Sequence, residues 1–202
     1  MKKLSAVLCS LVLIFSVSAC GYPNLGKKAP DNWPTYAIGN LTFPCEAGWT
    51  ASDVSGFADA SAEPFQLLNT ADQVQWVGCI ASPEWTTKSR NFFAISYLQL
   101  SSEFTDRMLE DQLEGLSDLK AAFLSVNMTA TVLSQAQIGK YGPNTALTFV
   151  CRFTMEDGQK MIVHTALMGH GDRLYQFHLV DYQSAEAADT LAQILNGLRW
   201  IE

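Results

Sequence analysis

The chain has 202 residues, of which 48% are hydrophobic and 16% charged, and its formal charge is −7. So much apolar content with so little charge excludes intrinsic disorder. An acidic balance without basic clusters excludes a nucleic-acid binder.

Lys2 and Lys3 open the chain, an apolar run from Leu4 to Val17 follows, and Val17-Ser18-Ala19-Cys20 closes the segment. This is the layout of a cleaved secretory signal over residues 1–19. The apolar run is shorter than the ~20 residues of a spanning helix. Small residues before Cys20 make the site similar to the lipobox of bacterial lipoproteins. That resemblance implies that Cys20 is acylated, palmitate being among its chains, and becomes the first mature residue. The chain would then be a membrane-anchored lipoprotein outside the cytoplasm, in the cell membrane or outer membrane of the envelope. Two or more acyl chains hold stably where one is marginal, at ~0.8 kcal/mol per buried methylene. Loss of Lys2 and Lys3 takes the basic residues from 13 to 11 against 20 acidic, a net −9. Electrostatics therefore add no second contact with anionic lipid.

Residues 20–35 read as the lipidated cysteine and a flexible tether, with Pro23, Pro30, Pro34, Gly21 and Gly26 and no periodicity. Stretched, the tether reaches about 50 Å; as a coil it averages roughly 20 Å. A single globular domain is predicted for 36–202.

Tyr36–Phe43 predicts a first strand ending at Pro44, and Cys45–Trp49 a turn. Val74–Ala81 and Asn91–Leu100 predict strands on either side of a polar loop, Ser82–Arg90. A helix follows from Ser102 to Phe123, capped at Thr105-Asp106, with Leu109, Leu113 and Leu116 on its apolar face. Thr131–Ile138 predicts a strand and Tyr141–Asn144 a turn. Thr145–Met155 alternates, placing Leu147, Phe149, Cys151 and Phe153 on one face. Glu156-Asp157-Gly158 reads as a hairpin turn. Lys160–Met168 and Arg173–Tyr182 predict strands around a loop at 169–172. A closing helix, Ser184–Asn196, turns Ala188, Leu191, Ile194, Leu195 and Leu198 inward, and Arg199–Ile201 follows as a short edge strand.

Phe43-Pro44, Gly48-Trp49 and the ending Ile194-Leu195-Asn196-Gly197-Leu198-Arg199-Trp200, in this order of elements, resemble the PsbP-like fold. That fold also appears in the yeast Mog protein and in bacterial lipoproteins of the DcrB type. The resemblance spans residues 36–202. It implies an α+β fold, an antiparallel sheet flanked by helices in an α/β/α sandwich. Its members share no single activity, and fold does not carry function.

Site chemistry is sparse. Cys45, Cys79 and Cys151 remain after processing, either as one disulfide with a leftover thiol or as three free thiols. The absence of Cys-x-x-Cys removes support for a thioredoxin-like role or a zinc site. His164 and His178 face each other if the loop between their strands has three residues. With two or four, His164 meets Phe177 and the histidines take opposite faces. Two histidines without a third ligand make no metal site, and no cofactor is expected. Gly-x-Ser-x-Gly, Walker and His-Glu-x-x-His motifs are all missing. Trp85 in its Pro-Glu-Trp loop is the candidate interface aromatic. The expectation is a non-enzymatic accessory or docking lipoprotein with an envelope-protein partner. The alternative is a binding module for a small apolar ligand.

Overall fold

The computed structural model describes residues 21–52, 74–82, 91–114, 129–132, 136–154, 158, 160–181 and 187–201. Cys20, Trp85 and most of 51–71 lie outside them. A small sheet pairs β1 (Thr35–Ile38), β2 (Leu41–Pro44) and β11 (Arg199–Trp200) in the order β1-β2-β11. The main sheet has the order β3-β4-β5-β10-β9-β8-β6, with β7 also paired to β8. Its members are β3 (Thr50–Ser52), β4 (Val74–Ala81), β5 (Phe92–Gln99), β6 (Thr129–Val132), β7 (Gln137–Tyr141), β8 (Asn144–Thr154), β9 (Lys160–His170) and β10 (Arg173–Asp181). All these strand pairs are antiparallel. Two helices are described, α1 (106–114) and α2 (Ala187–Gly197).

The main sheet is apolar on both faces. On the front, Phe93, Ile95, Met168, Tyr175 and Phe177 pack under Leu41 and Phe43 of the small sheet and under Leu191, Ile194, Leu195 and Leu198 from α2. On the back, Leu147, Leu167 and Leu174 pack with Leu109 of α1, while Cys151, Phe153, Met161 and Val163 form a second cluster with Phe92 and Ala94. Helices thus flank an antiparallel sheet, and the fold is α+β.

Several elements differ from the sequence expectation. The single strand expected at Tyr36–Phe43 is a hairpin, because Gly39 adopts φ 58° and turns the chain with Asn40. The strand expected at Thr131–Ile138 is two, β6 and β7, which pair with different stretches of β8. His170 belongs to β9 and pairs with Arg173, so a two-residue turn of Gly171-Asp172 replaces the four-residue loop. That register places His164 opposite Leu179, not Phe177, and His178 opposite Thr165. The alternation of a strand then puts the two histidines on opposite faces.

The segment expected as free tether is tied down in part. Pro23 to Gly26 runs along the outer edge of β7: the Leu25 and Gly26 amides donate to the Lys140 carbonyl at 2.9 and 3.0 Å, and the Lys140 amide donates to the Pro23 carbonyl at 2.8 Å. β7 is an edge strand, and its unpaired backbone groups supply the partners.

Candidate functional site

Two places on the front face combine access with chemistry. The first is a cleft of about 280 Å³ where α2 begins. Its floor carries Tyr141, Thr148, Val150 and His164 from β7, β8 and β9, and its walls are Leu25, Leu191 and Ala192. Lys27 Nζ and Asp189 Oδ1 meet at 2.5 Å across the mouth, both more than half exposed. The Tyr141 and Thr148 hydroxyls lie 3.0 Å apart, and burial pushes the Tyr141 phenol up. The volume sits at the lower edge of the ~300–1,000 Å³ of small-molecule sites. Apolar walls with a few hydroxyls suit a small, mostly apolar molecule.

The second is an aromatic ladder leading out of the core. Phe43, Phe93, Phe177 and Tyr175 follow one another at centroid distances of 5.1, 6.1 and 6.3 Å. Tyr175 meets Trp200 at 4.8 Å, and Trp200 stacks on exposed His170 at 4.0 Å with the planes 6° apart. A branch reaches Tyr97 at 5.6 Å, and the Arg173 guanidinium lies 4.4 Å from the Tyr97 centroid. Asn144 fixes the Trp200 indole, accepting its N–H at 3.2 Å while donating to the Leu198 carbonyl at 3.3 Å. Trp, Tyr and Arg at a surface are the residues that dominate protein interfaces. The sequence reading puts Trp200 in a short edge strand and His170 in a loop; the signal it lacks is the register that stacks them.

The remaining candidates are dispersed. Cys45 packs in the front core, and Cys79 and Cys151 on the back face. β5, β10 and β9 separate the last two strands, about 19 Å at the usual strand spacing, far beyond disulfide reach. Burial raises the Cys45 thiol to about 12 and the Cys151 thiol to about 11. These are packing thiols. Among the described residues no group of three His, Cys, Asp or Glu could hold a metal ion, and no helix is long and apolar enough to cross a membrane.

No protein-family model and no curated protein matches the chain. Among solved structures it is similar to cyanobacterial PsbP from Synechocystis, at 12% identity and a TM-score of 0.51, over 90% of this chain and 97% of that one. It is also similar to a crystal structure from Bacteroides thetaiotaomicron, at 11% identity and a TM-score of 0.50, over 81% of this chain. There it spans 46% of the other chain's length. At these identities the likeness is one of fold, and the fold is PsbP-like.

Proposed function

We infer that the protein is a non-enzymatic accessory lipoprotein of the bacterial envelope, held by acyl chains on Cys20, whose domain docks another envelope protein. The ladder from Tyr97 and Arg173 to Trp200 and His170 carries the docking reading. It presents rigid amphipathic rings and a cation at low conformational cost, on a base anchored in the core. The signal and Cys20 sequence support the anchor, and the PsbP-like fold, shared by proteins without a common activity, agrees with an accessory role. The test is a photo-crosslinker at exposed Gln99, beside Arg173 in the strand register, in the full chain in its own membranes. One dominant envelope protein, lost in Trp200→Ala, supports the reading. Self-crosslinks alone overturn it.

The cleft under α2 favours a second reading, a binding module for a small apolar ligand. A thermal-stability screen against lipids and peptidoglycan fragments checks it, and no shift across the panel removes it.

A further inference from the structure

We propose that the edge of the sheet formed by β7, together with α1, is a membrane-facing surface that rests on zwitterionic lipid headgroups, and that the residues after Cys20 clip the domain in this pose. The proposal rests on acylation of Cys20.

The clip begins two residues from the acyl site. The Tyr22 hydroxyl donates to Glu110 Oε1 of α1 at 2.7 Å, and its ring packs in the back cluster with Leu109 and Ile138. Lys140 Nζ lies 5.8 Å from the Tyr22 ring centroid and 3.9 Å from Asp106 Oδ2, linking the segment, β7 and α1. Leu25 then packs against Gly139, where any side chain would collide with it. Lys27 pairs with Asp189 on the other side of the edge. The chain from Tyr22 to Lys27 therefore wraps the β7 edge from α1 to α2. A coil of that composition would leave the domain standing some 20 Å off the bilayer. Clipped at Tyr22, the acylated residue lies within about 7 Å of the domain, the reach of two residues.

This places α1 and β7 beside the headgroups. β3, six strand intervals across the sheet, lies about 29 Å away. The exposed positions of α1 include Asp106, Glu110, Asp111 and Glu114 against Arg107. A net negative surface is repelled by anionic lipid, so a zwitterionic layer is the partner it fits.

Spin labels read the pose directly. The full acylated chain is labelled at Arg107→Cys on α1 or at Thr50→Cys on β3, both exposed positions, the other thiols being buried. It is reconstituted in phosphatidylcholine vesicles doped with a nickel-chelating lipid. Relaxation enhancement is expected several-fold larger at 107 than at 50. Tyr22→Ala combined with Leu25→Pro, which removes one edge hydrogen bond, is expected to bring the two sites to parity. Equal enhancement with the clip intact overturns the proposal while leaving the anchor standing. An N-terminal peptide without acyl mass overturns the anchor reading, and the pose with it. Phosphatidylglycerol in place of phosphatidylcholine is expected to lower the signal at 107, and a rise would refute the headgroup assignment.

Discussion

The Thr165 hydroxyl oxygen lies 3.1 Å from Nδ1 of His178, an imidazole buried on the back face of the sheet. Gln176 Oε1 stands 3.4 Å from Nε2, so a neutral ring meets both contacts, Nε2–H donating and Nδ1 accepting. Burial lowers this histidine from 6.5 to about 4. Between those values the unfolded chain binds a proton that the folded chain refuses. Stability is therefore intact above pH 6.5 and falls as pH drops toward 4, by ~1.4 kcal/mol per unit and about 3 kcal/mol in all. Urea midpoints from pH 4 to 8 check this against His178→Gln. The variant's slope through this window should be shallower by that amount, and parallel curves would remove the assignment.

Gly169 on β9 lets the Phe104 ring lie directly against its backbone, where a Cβ would clash with the ring carbons. The Phe104 amide donates to the Gly171 carbonyl at 2.7 Å, so the ring cannot back away without breaking the approach to α1. Gly169→Ala is expected to lose about 1–3 kcal/mol through overpacking. In a Phe104→Ala background the same change should cost much less, a coupling a double-mutant cycle reads. Additive losses would show that the contact is not the cause.

Cys45 and Cys151 are raised to about 12 and 11 by burial, so almost no thiolate forms at neutral pH. The thiolate is the reacting form. N-ethylmaleimide at pH 8 is expected to leave both unmodified in the folded protein and to modify them at the rate of global unfolding in denaturant. Rapid native labelling of either would contradict its burial.

Cys20→Ala tests the anchor through chemistry that no other residue duplicates. Without the thiol no thioether-linked lipid forms, and the net charge of −9 offers no substitute attraction. Fractionation is expected to show a released or unprocessed chain. A mature form that stays in the membrane fraction would defeat the anchor reading.

What the sequence revealed followed from how local each signal is. The alternation Leu147, Phe149, Cys151, Phe153 reports burial directly, and all four pack on the back face. The inward stripe Leu191, Ile194, Leu195, Leu198 behaves likewise on the front. The Gly39-Asn40 turn escaped because it is only two residues long and apolar residues flank it on both sides, so Tyr36–Phe43 read as one strand. The clip at Tyr22 was illegible for a different reason: its partner Glu110 is 88 residues away, and Pro and Gly nearby read as a linker. The ladder depended on a register that one residue of turn length decides. Trp85, the interface aromatic expected from the sequence, lies outside the described residues.

His170→Ala separates docking from stability. The ring is exposed and touches the fold through its stack on Trp200, a contact worth about 0.5–1.5 kcal/mol. Trp200 keeps its hold without it, because Asn144 accepts the indole N–H and Tyr175 still packs beneath. The variant should therefore unfold within about 1.5 kcal/mol of the parent, yet lose most of the crosslink formed from Gln99. Trp200→Ala removes a half-buried ring and its Asn144 bond and should cost both stability and crosslink. An undiminished crosslink in both variants would place the docking surface elsewhere on the domain, since no partner seated on the ladder could tolerate losing its two outermost rings.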